Sequence, residues 1–281
     1  MYKQFCYECR VIMRLRCNPF QIFTSSKTPA GLYARQKWLH EQTTATLKAD
    51  LQETVTGLLS SQASDGSWDH SVVKTVRRLF GLHLTVRTQS EPINKALDWL
   101  LDQTLTTFPH RRIDMGEHLT RGALRSLPFT KGCSGLFMTG ATLFLASIFG
   151  RENDSTILEV YRRLNLLNIK NKGRWCGWSC SNNILRAFVV HPHYSQAKAV
   201  VLAVEALAGV QQQSGTWLRE VPFYQTVNAL AHVSISQADV QLERAFKRLY
   251  ETQRHDGTWG RSHKEWDTFL IIHALKNKKE L

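Results

Sequence analysis

The apolar positions of this chain fall into two alternating patterns. Residues 237–253 place Val240, Leu242, Ala245, Phe246, Leu249 and Tyr250 largely at i, i+3, i+4 spacing, with charged residues between them. Residues 196–212 repeat the pattern with Ala199, Val200, Ala203, Leu207 and Val210. Nearly uncharged stretches at 184–190, 223–233 and 266–275 alternate with these. The first pattern predicts a helix with one wet face, and the second predicts a helix covered on all sides.

A short motif joins the two. Gln62-Ala-Ser-Asp-Gly66-Ser-Trp68, Gln211-Gln-Gln-Ser-Gly215-Thr-Trp217 and Gln253-Arg-His-Asp-Gly257-Thr-Trp259 share the spacing Q-x3-G-x-W. A fourth copy keeps Gly173-Arg-Trp175 but has Ile169 where Gln is expected. Trp175, Trp217 and Trp259 are 42 residues apart, a period that signals stacked supersecondary units. Trp68 to Trp175 spans 107 residues, room for two or three periods without a readable motif. Each unit reads as outer helix, Gly turn, inner helix. Gln serves open backbone groups at the helix end, and Trp packs across the junction. Residue pattern alone leaves an open solenoid or a closed ring.

Composition adds little to the fold and something to the partner. The 281 residues are 43% hydrophobic and 21% charged, which excludes wholesale disorder. Lys and Arg number 36 against 23 Asp and Glu, a net charge of +13 that favours an anionic ligand or surface. The basic residues are scattered, with short clusters at Arg77-Arg78, His110-Arg111-Arg112 and 276–279. No nucleic-acid motif accompanies them, so no nucleic acid is expected. Six cysteines do not make a disulfide scaffold, and charged residues interrupt the first 23 positions, so no signal peptide is read there. A cytoplasmic, reducing setting is the expectation. The uncharged run 132–150 is diluted by Ser134, Thr139, Thr142, Ser147 and glycines, and reads as a buried helix rather than a membrane span.

The three Q-x3-G-x-W copies resemble the QW repeat of squalene–hopene and oxidosqualene cyclases, and protein prenyltransferase β subunits use a related repeat. The resemblance covers about residues 45–278. It implies an all-α fold, an α/α toroid of about five to six helical hairpins spanning 31–281 behind a basic N-terminal extension, 1–30. It also implies a central cavity for an isoprenoid or similar amphiphile. The cyclases' acidic D-x-D-D motif is absent, and the nearest cluster, Asp114-Met-Gly-Glu117, has the wrong spacing. The prenyltransferases' zinc stretch is partly present as Gly260-Arg261-Ser-His-Lys264-Glu-Trp-Asp267-Thr-Phe269, but Phe269 replaces the thiolate. The C-terminal half is also similar to uncharacterised bacterial prenyltransferase-like proteins, which carry Cys in contexts like Lys131-Gly132-Cys133 and Trp175-Cys176. Whether the chain is an enzyme stays open. A non-catalytic helical-repeat binding protein is the alternative.

Polar residues recur in the apolar inner stretches. Arg186, Asn228 and His273 align there, with Arg78 as a fourth. A lumen lined by them suits a diphosphate on an apolar tail; the plainer reading has them pairing between helices. Asp267, Tyr224, Gln225, Asn182 and Asn183 lie near inner-helix starts, the ends expected to face the cavity mouth. Asp267 and His273 are thus the catalytic candidates, and Arg186, Asn228, Tyr224 and Arg78 the ligand-binding ones. Cys176 and Cys180, with Cys133 and His191 or His193, count four donors, but the spacing is not that of a zinc ribbon, and buried thiols are the plainer reading. No metal and no cofactor are expected. The N-terminal segment, with Cys6, Cys9 and Cys17 among Arg and apolar residues, reads either as an arm for a peripheral membrane or partner contact or as an extension with no fixed structure.

Overall fold

Helix starts in this chain are set by hydroxyl caps and proline. Thr28 accepts from Gly31 N ahead of Pro29, Thr44 from Leu47 N, and Ser71 from Lys74 N. The computed structural model describes residues 15–40, 44–106, 120 and 122–281. Within these there are eleven α-helices and no strand: α1 (Pro29–Lys37), α2 (Ala45–Leu59), α3 (Val72–Thr85), α4 (Glu91–Thr104), α5 (Ser134–Ile148), α6 (Ser155–Lys170), α7 (Trp178–Val190), α8 (Lys198–Ala208), α9 (Phe223–Leu230), α10 (Ser236–Thr252) and α11 (Lys264–Asn277). No helix of the described residues is long and apolar enough to cross a membrane. The uncharged run 132–150 is the inner helix α5, as its diluted apolar pattern predicts.

The odd-numbered helices pack side to side in a closed circuit: α1 on α3, α3 on α5, α5 on α7, α7 on α9, α9 on α11, and α11 back on α1. The even-numbered helices lie outside this circuit. The amphipathic sequences of α4, α6 and α10 fit that place, since each buries one stripe and wets the other. The fold is therefore an α/α toroid with six inner helices.

The Gln–Gly–Trp motif is the joint of this ring. Gly66, Gly173, Gly215 and Gly257 all have φ between +79° and +95°. A Cβ there would fall 2.2–2.4 Å from a backbone oxygen of a neighbouring segment: Lys95, Leu202, Arg244 and Asn18 in turn. Only glycine gives both the left-handed turn and the close approach. Trp68, Trp175, Trp217 and Trp259 are all buried, with the indole N–H donated to Ser60 O, Leu164 O, Gln241 Oε1 and Leu249 O. Gln62 Nε2 reaches Pro92 O of α4, and Gln211 Nε2 reaches Gln241 O of α10, so each ties its turn to the next outer helix.

Among the described residues no further outer helix lies against Gln253. It bonds instead to the described part of the segment read from sequence as an extension. Its Oε1 accepts from Arg16 N and Cys17 N, and its Nε2 donates to Cys17 O. Residues 15–28 thus lie against the last turn, where the other turns meet an outer helix, with Phe23 fully buried. The stretch between Trp68 and Trp175 holds one unmarked junction, between α4 and α5, and a long connection. Asp114, Glu117, the basic cluster at 110–112, Cys6 and Cys9 lie outside the described residues.

Candidate functional site

Along α7 and α9 the same address recurs: Arg186 stands eleven residues after Trp175, and Asn228 eleven after Trp217. Both side chains line a cavity of about 340 Å³ inside the ring, with His273 one helical turn further along α11. Tyr33, Phe80, His83, Phe144, Trp266 and Phe269 supply the aromatic walls. No Asp or Glu lines it among the described residues. A second cavity of about 330 Å³ lies beside it, lined by Arg77, Arg125 and Lys264 among others. Phe80, Leu84 and Trp266 line both and divide them.

Arg186 is 3% exposed. It donates Nη1 to Asn228 Oδ1 at 2.8 Å and Nη2 to Gln225 O at 2.9 Å, and Asn228 Nδ2 passes the chain on to Leu270 O. Both acceptors are neutral. Its Nε is buried and finds no hydrogen-bond partner among the described residues. Burial pulls the guanidinium down to about 9, so it still carries its charge at pH 7.

Arg87, which the sequence reading missed, faces the same cavity. It follows α3 at φ +62°, a left-handed conformation that glycine normally takes at a helix end. Its guanidinium lies 4.3 Å from the Tyr33 ring centre, and its Nη2 is also buried without a partner among the described residues. The signal was an arginine in the position of a C-terminal helix cap. Three histidines complete the lining. His232 stacks on His273 at 5.2 Å, and His83 lies among Phe80, Phe144 and Phe149. Burial, then charge repulsion within the cavity, pushes His83 and His273 down to about 4 and His232 to about 3. All three are neutral at pH 7. His273 Nδ1 is buried and lacks a partner among the described residues.

The remaining expected residues lie elsewhere. Arg78 is ten residues after Trp68, one short of the inner-facing address. One residue turns a helical side chain by about 100°, so Leu79 takes the buried position and Arg78 reaches outward to Gly57 O of α2. Asp267 and Tyr224 do sit near inner-helix starts, but neither lines the cavity. Asp267 packs against Gly260, and the Tyr224 hydroxyl accepts from Gly260 N at 3.1 Å. Burial alone raises the Asp267 carboxyl to about 6. Asn182 bonds Thr226, and Asn183 bonds Thr130, so these amides knit inner segments together. Phe269 stacks on Trp266 at 5.3 Å, filling the place where the resembling zinc site needs a thiolate, and these residues do not fit that metal.

The cysteines are rearranged relative to expectation. Cys133, Cys176 and Cys180 do come together, their sulfurs all within 4.8 Å of one another. His191 and His193 do not join them, because they follow the far end of α7 while Cys180 lies in its first turn. His191 Nδ1 accepts from His193 N and Tyr194 N, and its Nε2 faces Glu152 O, so both ring nitrogens hold backbone.

No protein-family model matches this chain, and no curated protein matches it in sequence. Solved structures do match in fold. A protein from Actinoplanes is 16% identical, with a TM-score of 0.55 over 90% of this chain and 89% of its own. A variant of the type II terpene cyclase MstE from Scytonema, in complex with its substrate geranylgeranyl dihydroxybenzoate, is 12% identical, with a TM-score of 0.58 over 91% and 87%. Another, in complex with the product merosterolic acid A, is 13% identical, with a TM-score of 0.57 over 91% and 88%. The fold is thus terpene cyclase-like.

Proposed function

We propose that this protein binds an amphiphilic anion, an isoprenoid carrying a diphosphate or a similar head group, in the cavity of its ring. The observation that carries this reading is a buried arginine, Arg186, and a half-buried one, Arg87, facing one cavity that has no carboxylate among its described lining residues. A buried charge without a counter-charge is costly. Arg186 rests on neutral amides, and both guanidinium groups keep an unpartnered N–H. A bound anion would supply what is missing, while the aromatic walls take the chain. That terpene cyclases of the same fold bind prenylated substrates and products supports an isoprenoid tail. The three Q-x3-G-x-W copies support a place near the QW-repeat branch.

Binding is better supported than proton-initiated cyclisation. The described lining has no carboxylic acid to protonate an alkene, and the histidines there are neutral. His273 is proposed as a hydrogen-bonding contact through Nδ1. Asp267 is left a role only outside the cavity. Calorimetric titration with geranylgeranyl diphosphate and with the matching alcohol tests the reading. The diphosphate should bind about 10- to 150-fold tighter, the equivalent of one charge-assisted contact of roughly 1.5–3 kcal/mol. Equal affinities would remove the anion site. No binding of either would favour the non-catalytic scaffold.

A further inference from the structure

At the other end of the inner helices, three thiols from three separate segments converge. Cys133 is the residue before α5, Cys176 lies in the turn between α6 and α7, and Cys180 is in the first turn of α7. Cys133 Sγ and Cys180 Sγ are 3.4 Å apart, and all three sulfurs lie within 4.8 Å. Three thiolates held about 2.3 Å from one tetrahedral ion sit about 3.8 Å apart, so the observed spacing needs only small adjustment. Cys133 and Cys176 are exposed, which leaves a path for an ion, while Cys180 is buried.

The surroundings are shaped to the sulfurs. Cys133 N donates to Cys180 Sγ at 3.1 Å, the kind of amide bond that steadies a thiolate. Gly132 passes so close that a Cβ there would lie 2.8 Å from Cys180 Sγ. A disulfide would use two of these sulfurs and leave the third idle. A metal uses all three.

We propose that Cys133, Cys176 and Cys180 form a site for one thiophilic divalent cation, Zn²⁺ by ligand type, with its fourth position taken by water or an exogenous ligand. Among the described residues no His, Asp or Glu joins the group. The ion would clamp the connection ahead of α5 to the turn ahead of α7, replacing the thiol protons, which are released to solvent. This reverses the expectation of a metal-free chain: sequence spacing cannot show that residues 43 apart meet. It is independent of the ligand cavity, which none of the three cysteines lines.

The reduced full-length protein should be titrated with Co²⁺ and, in competition, with Zn²⁺. One Co²⁺ per chain should bind, with tetrahedral d–d bands and thiolate-to-metal charge-transfer absorption, and Zn²⁺ should displace it. Cys176→Ser, at an exposed position that should not disturb folding, should weaken binding by more than the roughly 10- to 100-fold that loss of a supporting group costs. Cys133→Ser should do the same, and Cys17→Ser should change nothing. Metal should raise the melting temperature of the parent and not of Cys176→Ser. A spectrum without thiolate bands, full binding by Cys176→Ser, or a Cys133–Cys180 disulfide that persists in reductant and blocks Co²⁺ would overturn the proposal.

Discussion

Replacing Arg186 by Met separates its cost to the fold from its use. The fall of the guanidinium from 12.5 to about 9 corresponds to a burial penalty on the order of 5 kcal/mol, which Met does not incur. Against this, Asn228 Oδ1 and Gln225 O lose their donor, at about 1–3 kcal/mol each when left unpaired. The opposing contributions nearly cancel. Arg186→Met should therefore leave the stability of the ligand-free protein within about 2 kcal/mol of the parent, as is seen when buried charges give way to apolar residues of like volume. Its affinity for geranylgeranyl diphosphate should fall about 10- to 150-fold, and its affinity for the alcohol should stay within about threefold. Urea unfolding gives the first quantity and calorimetry the second. A variant destabilised by more than about 3 kcal/mol that keeps its diphosphate affinity would make Arg186 a structural tie between α7 and α9, and the anion reading would fail.

Trp259→Ala should cost about 3–5 kcal/mol, because the side chain is 1% exposed and its N–H serves Leu249 O; a loss below about half a kcal/mol in urea unfolding would contradict the joint assigned to it. Gln253→Ala should free residues 16–18 from the last turn and make the chain cleavable near Arg16 by trypsin under native conditions, with the parent resistant there. Acid should destabilise the ligand-free protein between about pH 6.5 and 4. His83 and His273 have folded values below their unfolded one, so their contribution is complete above about 6.5 and is lost as pH falls through about 4. Asp267, raised to about 6, works in the opposite sense between about 4 and 6, yet it is one group against three histidines. Melting temperatures that rise on acidification through this window would refute the burial assigned to the histidines.

The ring was largely legible because its joints are local. Gln, Gly and Trp fall within seven residues, and each acts on backbone a helix away, so the motif carries its own geometry. Arg186 and Asn228 were readable for the same reason, as each lies a fixed distance from its Trp. Arg78 differs because α3 has two adjacent arginines, neither at the inward address; counted from Trp68, that address falls on Leu79. Arg87 and His232 follow their helices, at or beyond the C-terminal end, where periodicity says nothing. The three cysteines were grouped from the sequence, but with a histidine that the structure puts at the far end of α7. What brings Cys133 to Cys176 and Cys180 is the packing of residues 130–133 onto the start of α7, a contact no local pattern encodes.

A division of labour follows from this geometry. The stabilising contacts of each unit sit at the motif turn, where Gly has no substitute and Trp is buried in all four copies. The address eleven residues on is held by Leu79, Arg186, Asn228 and Leu270 in different units, with no common chemistry. All four are buried, and Arg186, Asn228 and Leu270 line the cavity, so their side chains can vary without disturbing the outer joints. An arginine placed there brings one charge into an aromatic cavity and draws on its neighbour's amide for support, as Arg186 does on Asn228. The ligand is thus selected by a few inner positions on a frame that other residues hold. It follows that transferring the charge should be tolerated: Arg186→Leu with Leu270→Arg would keep the fold but move the anion's contact from α7 to α11, beside Phe269. If that double variant unfolds while each single variant folds, the inner positions are coupled to the joints and the division is wrong.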